Sequence, residues 1–357
     1  RAQADRSDDV PITATSTSRE GWRAMSDDAG ALRQELTIPR TIEVLEPASC
    51  VIEPGAPLPA STTSEDLDEL APKVTGKVRE AVEKADPTLD ADVTDWFADE
   101  CWRPRLTLLG PVAVRAHGQP IEKRKAFYVE VLSYIALREH GATPDELATA
   151  FGHSEGTARI SVGTVRSWLG TNPRTGEPHI PHADKSEPAK NGGVRAYQIE
   201  DLLVDVDLFR RLRARGEARG SEGINDLVTA LALVNGRPFD RVREAGWAWL
   251  ADLNIDQHMI CAIVDVAHLV VTHFLKTGDL GKARAAAETA LAAAPYETIP
   301  RLDLAAVTHA EGHTDEARRI VREEVCNAAD ENGLPDDLRD RTTPIIAGFD
   351  WFKQRAS

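Results

Sequence analysis

Two arginines seven residues apart carry the most specific chemistry in this chain. Arg159 and Arg166 lie in the run Glu155 to Leu169, where Ala158, Val162, Val165 and Leu169 recur at i, i+4, i+7 and i+11, the spacing of one helix face. With Gly163 the arginines fall opposite that face, flanked by Ser161, Thr164 and Ser167. Arginine is the commonest reader of the guanine O6/N7 edge. Arg159 is therefore expected to read a base, and Arg166, nearer the C-terminal end, to hold a phosphate. Lys123-Arg124-Lys125 precedes an earlier helix, and Lys185 and Lys190 lie in a long polar loop. Residues 103–200 hold 13 basic and 10 acidic residues, a balance of +3 in a chain of net charge −16. The rest of the chain is strongly acidic, which excludes a protein that coats nucleic acid or membrane over its whole surface. Glu155, near the helix start where base contacts concentrate, and the helix-weakening Gly156 and Gly163 count against DNA. The plain alternative is a solvated helix face with ordinary charges.

No other constellation competes. The cysteines Cys50, Cys101, Cys261 and Cys326 are far apart and make no zinc-ligand spacing; they read as reduced thiols in a reducing, cytoplasmic compartment. His258, His268 and His273 share a helical segment with no Asp or Glu at metal spacing on the same face, and read as packed or surface histidines. His309 and His313 are four apart but straddle a turn at Gly312. There is no phosphate-binding glycine loop, no G-x-S-x-G and no H-E-x-x-H. The expectation is no enzyme, no cofactor and no metal. No stretch approaches the roughly 18 apolar residues that span a bilayer, so no membrane contact is expected from this segment. There is no signal peptide, and the start at Arg1 suggests a piece of a longer protein.

The elements that position these residues follow in order. Residues 1–98 read as a linker or extension, partly disordered, with short strands at Thr41–Leu45 and Cys50–Ile52 and a helix near 64–84. A helical turn is expected from Asp92 to Trp96. A β ribbon is expected from Arg105–Leu109 and Val112–Arg115 around Gly110-Pro111. Three helices follow: one with Phe127, Val131, Tyr134 and Ile135 on its apolar face; one opened by Thr143-Pro144-Asp145-Glu146; one capped by Ser154. Pro178–Pro181 and Val194–Ile199 are expected to close a second hairpin around the His182–Gly193 loop. Ribbon, three helices, ribbon is the order of an OmpR-type winged helix-turn-helix, expected over 99–202.

From residue 203 to 357 the pattern is helical. Gly278-Asp279 to Ala283-Arg284 matches Gly312-His313 to Ala317-Arg318 at an offset of 34, the tetratricopeptide period. Gly278 sits at the turn, Ala283, Ala287 and Ala290 share one face, and Pro295 is expected to close the helix. The bland version is an alanine-rich helical hairpin. The fold class expected is mainly α: a winged helix-turn-helix followed by an all-α tetratricopeptide-like domain. Trp247, Trp249, Trp351 and Phe352 read as core and end-cap aromatics.

The chain resembles SARP-type actinobacterial regulators and relatives carrying a bacterial transcriptional activator domain. The resemblance rests on Leu108-Leu109-Gly110-Pro111-Val112, Val165-Arg166-Ser167-Trp168-Leu169-Gly170, Tyr197-Gln198-Ile199, Val204-Asp205-Val206-Asp207-Leu208-Phe209, Leu231-Ala232-Leu233, Gly236-Arg237-Pro238-Phe239 and Trp247-Ala248-Trp249, across roughly residues 103–350. It implies a transcriptional regulator that binds promoter double-stranded DNA through the winged helix, with a helical domain that dimerises or contacts RNA polymerase. The hundred residues before the first strand depart from the free activators. They look more like relatives in which the module ends a larger, sometimes membrane-attached protein. A second reading follows: a scaffold that keeps the fold, does not bind DNA and holds a protein partner through its helices.

Overall fold

The computed structural model describes residues 76–327 and 342–353, all within one compact unit, Val51–Ser357. The strands expected at 41–45 and 50–52, and the start of the helix expected near 64–84, lie outside them. The described chain is mainly helical with one small sheet.

Residues 76–98, expected as the end of an extension, form α1 (Gly76–Ala85) and α2 (Leu89–Phe97). They are built into the core by burial of Leu89 and by ion pairs to α7 (Asp205–Arg219). Arg211 holds Asp86 and Asp92 at 2.7 Å each, Arg219 holds Glu83 at 2.8 Å, and Arg215 holds Asp90 at 2.7 Å. The largely shielded Arg215 also grips Asp226 through two nitrogens, at 3.0 and 2.8 Å, a planar match that lysine lacks.

The expected first ribbon forms. β1 (Arg105–Thr107) pairs antiparallel with β2 (Ala113–Arg115), with Leu106 opposite Val114. A third strand is unexpected. β3 (Leu203–Val204) runs parallel to β1, giving the order β2-β1-β3. Asp205, just after it, is fully buried and accepts the backbone N–H groups of Leu108 and Leu109 at 2.8 Å.

The three helices are α3 (Lys125–Ala136), α4 (Pro144–Phe151) and α5 (Glu155–Leu169). α4 opens with a reciprocal cap between Thr143 and Glu146, which satisfies two donors that a helix start leaves free. Ser154 caps α5 by accepting from the Thr157 N–H. Phe127, Val131, Leu132 and Ile135 of α3 meet Ala158, Val162, Val165 and Leu169 of α5 in the main core.

The expected second hairpin does not form as strands. Each segment instead makes an isolated bridge outside the hairpin, Pro178 with Thr171 and Tyr197 with Ala142. The Glu200 N–H also donates to the His179 carbonyl at 2.8 Å. Pro178 and Pro181 lack the donors a ladder needs. The loop instead contains the short helix α6 (Glu187–Gly192). Gly141 fixes the approach of this region: its φ is +68°, and a Cβ there would meet the Tyr197 carbonyl oxygen at 2.0 Å.

After α7, α8 (Ile224–Ala232) leads to the Gly236-Arg237-Pro238-Phe239 stretch. That stretch docks on the β1–β2 turn. Asn235 and Phe239 donate to the Leu109 and Leu108 carbonyls at 2.7 Å each, and Val112 donates to Asp240 at 2.9 Å. Trp247 and Trp249 stack at 5.3 Å and reach α3, Trp249 meeting Tyr134 edge-on. One core cluster therefore runs from Leu89 through α3 and α5 to Val307.

The remaining helices are α9 (Ala248–Leu253), α10 (Ile255–Thr277), α11 (Leu280–Ala293), α12 (Ile299–Ala310), α13 (Thr314–Arg319, continuing as a π-helix over Ile320–Cys326), α14 (Thr342–Ala347) and α15 (Asp350–Lys353). α10 corrects one expectation. It is long and apolar enough to cross a membrane, but half of that apolar window is buried inside the fold, against α11 and α12.

α10–α11 and α12–α13 make two successive helical hairpins. Gly278 and Gly312 end the first helix of each with φ of +82° and +92°, values that cost glycine nothing. Ala283 and Ala317 are both fully buried, as are Ala287 and Ala290. Without larger side chains there, α11 lies close on α10. α11 ends at Ala293, two residues before Pro295.

Candidate nucleic-acid interface

α4, the left-handed Gly152 and α5 form a helix-turn-helix whose inner face is core and whose outer face is open. The side chains expected on that outer face divide. Arg159 is there, 61% exposed, with Glu155 one turn before it at 2.6 Å. An exposed i,i+4 pair of this kind contributes only ~0.3–0.5 kcal/mol, so the guanidinium remains available. Thr164 is half-buried and turns its hydroxyl back to the Ile160 carbonyl at 3.2 Å.

Ser161 is not on that face. It is 6% exposed and lines a small internal void with Phe127, Val131, Leu147, Phe151, His153 and Ala158. The signal was present in the spacing: residue 161 lies three after Ala158 and four before Val165, on the apolar side.

Arg166 does not point outward either. Its Nε donates to the Ile180 carbonyl at 2.6 Å and its NH2 group to the Pro181 carbonyl at 3.1 Å. Burial lowers its pKa below the usual arginine value. The residue expected to hold a phosphate instead pins the 178–181 segment to the end of α5. Those carbonyls accept it because no strand ladder claims them. Arg166→Ala is expected to lower stability by about 2 kcal/mol in urea denaturation. It should leave the salt dependence of any DNA binding unchanged. A reduced salt slope with unchanged stability would contradict this role.

The other expected cations are exposed. Lys123, Arg124 and Lys125 surround the start of α3. Arg124 lies 4.5 Å over the Phe127 ring, and the Lys125 ammonium is 5.7 Å from the Trp168 ring of α5. That last contact puts the basic run beside the C-terminal part of α5. Lys185 is exposed in the loop; Lys190 is exposed on α6 and pairs with Glu187 at 2.9 Å. Two exposed groups were not anticipated: Ile160, 72% exposed on α5, and Val194, 51% exposed at the end of the loop.

Among the described residues, no group of three or more His, Cys, Asp or Glu is placed to hold a metal ion. His309 stacks on Trp351 at 4.7 Å and bonds Thr314 at 3.0 Å. His268 is buried on α10 with its Nδ1 2.6 Å from Asp303 of α12. That partner lies 35 residues on, on another helix, beyond any same-face spacing along α10.

No protein-family model matches the chain, and no curated protein does. Among solved structures the chain is similar to Mycobacterium tuberculosis EmbR, determined in complex with a low-affinity phosphopeptide. The two share 19% identity and a TM-score of 0.45, over 70% of this chain and 67% of that one.

Proposed function

We propose that this chain is a non-catalytic regulator that binds double-stranded DNA with α5 in the major groove. One observation carries the reading: a capped helix-turn-helix presents an open α5 face beside exposed cations, in a region with a positive balance. Arg159 is the base-reading cation. Lys123, Arg124, Lys125, Lys185 and Lys190 supply phosphate contacts. In this reading residues 99–202 are the DNA-binding domain, and 203–357 the tetratricopeptide-like part that dimerises or meets RNA polymerase. The chain works in the cytoplasm.

Fluorescence anisotropy of the full chain on random duplex DNA tests it. For these five phosphate contacts, affinity should fall roughly 500-fold between 50 and 200 mM salt. Arg159→Ala should weaken a selected sequence while sparing random DNA. No binding tighter than about 10⁻⁴ M would end the reading.

The second reading is a scaffold that does not bind DNA and takes a protein partner through its helical hairpins. The inward course of Arg166 and the burial of Ser161 favour it, because the first removes a cation and the second a hydroxyl from the open face of α5. A partner lost on changing exposed residues of α11 or α13, with no DNA bound, would support it.

A further inference from the structure

We infer that Ile160 reads the C5-methyl group of a thymine in the major groove. The inference rests on the DNA-binding reading above and goes beyond it, to a residue that charge and polarity did not single out.

Ile160 is 72% exposed in a helix whose inward residues Ala158, Val162 and Val165 are buried. Nothing local calls for isoleucine there, since β-branched side chains are slightly unfavourable in helices. Its backbone carbonyl receives the Thr164 hydroxyl, but the side chain makes up no part of the core. It lies in the first half of α5, the part of a recognition helix that meets base edges.

The positions one turn before and one turn after it, Gly156 and Gly163, carry no side chain. A Cβ at Gly163 would meet nothing within 4 Å, and one at Gly156 only the Ser154 hydroxyl at 3.8 Å. Packing within the chain therefore requires neither glycine, although each costs the helix about 1 kcal/mol against alanine. Their effect is to flank Ile160 along the helix with bare backbone able to come close to a surface.

The occupant follows from charge. Arg159 adjoins Ile160, and the exposed Lys123–Lys125 run lies beside the same helix. An exposed apolar side chain next to one exposed arginine, on a helix whose far end lies beside a basic run, is matched by the major groove, whose phosphates meet the cations. Its one apolar feature is the thymine methyl group.

The test uses the full chain and a duplex selected from a random pool. A thymine is expected in the selected core. Replacing it by deoxyuridine keeps base pairing and removes only the methyl group. Wild-type affinity should fall about fourfold, the worth of one buried methyl-sized group. Ile160→Ala should bind the thymine and deoxyuridine duplexes equally, while Arg159→Ala should keep the fourfold difference. The ratio within each variant is its own control for folding.

Wild-type binding indifferent to deoxyuridine at every thymine, or an Ile160→Ala chain that keeps the difference, would overturn the inference and leave DNA binding standing. No DNA binding at any salt would overturn both. Self-association or a protein partner lost in Ile160→Ala, with no DNA bound, would overturn both in favour of the scaffold.

Discussion

Replacing Glu130 by alanine is expected to remove about 3–5 kcal/mol of stability, read as the shift in a urea unfolding midpoint. Glu130 sits on α3 with its side chain 3% exposed. Its carboxylate accepts the Trp247 backbone N–H at 2.6 Å, the Trp249 indole N–H at 3.2 Å and the Arg243 Nε at 2.6 Å. Three donors from residues 243–249 thus end on one buried carboxylate of α3. Removing it leaves two neutral donors and a guanidinium without an acceptor. Glu130→Gln keeps the shape and an acceptor oxygen but not the charge, and should cost about half as much. A loss under 1 kcal/mol for the alanine variant would show that the tryptophan stretch is held by ring packing alone.

A second large effect is expected at Asp205, as a function of pH. Burial pushes its carboxyl up to about 7, against the backbone N–H bonds of Leu109, Leu108 and Val206, which favour the charged form. The ordinary value is 3.8. The folded state therefore binds more protons than the unfolded state between about pH 4 and 7, and stability falls as pH rises through that window. Between pH 5 and 8 this group should cost the fold about 3 kcal/mol. Asp205→Asn should remove that slope, so unfolding in urea at the two pH values, for wild type and variant, isolates it.

His309 acts in the opposite sense, because burial lowers its pKa and its contribution is lost as pH falls. At Asp92, burial raises the pKa, but the guanidinium groups of Arg103 and Arg211 outweigh it and hold the carboxyl below its usual range. Its contribution is lost only under more acidic conditions. A variant with the wild-type slope would show that the N–H bonds keep Asp205 charged throughout.

Much of the secondary structure was legible because its causes are local. Thr143 and Glu146 cap each other across three residues. Ser154 caps α5 with a single bond from the Thr157 N–H, and Gly278 and Gly312 end helices at conformations suited to glycine. The 34-residue offset placed Ala283 and Ala317 at equivalent buried positions. The β1–β2 pairing needed only a Gly-Pro turn between two short apolar runs.

The candidate site was legible in part. Arg159 is where its spacing put it, and the Lys123–Lys125 run is exposed as expected. Ser161 and Arg166 were misplaced, for different reasons. Ser161 was judged by chemical type, although its spacing from Ala158 and Val165 already put it on the packed side. Arg166 has a long side chain at the border of the buried face, and its direction depends on which carbonyls stand free nearby. Those carbonyls belong to residues 180 and 181, 14 and 15 positions away. Ile160 was overlooked because polarity was the guide to the outer face.

By itself the sequence determined the three helices from Lys125 to Leu169, the caps at Thr143 and Ser154, the antiparallel ribbon, the repeated hairpins and the positive balance of residues 103–200. Each of these depends on residues within a few turns of one another, or on an exact repeat. Only the tertiary structure decided that Leu203–Val204 joins β1 in parallel, that residues 76–98 lock onto α7, that Asp205 and Glu130 tie separate stretches together, and that Arg166 turns inward. These contacts join residues 14 to 136 positions apart, and their partners are chosen by which donors and acceptors packing leaves unsatisfied. A one-dimensional pattern records that a group is polar; it does not record which distant group burial will require it to meet.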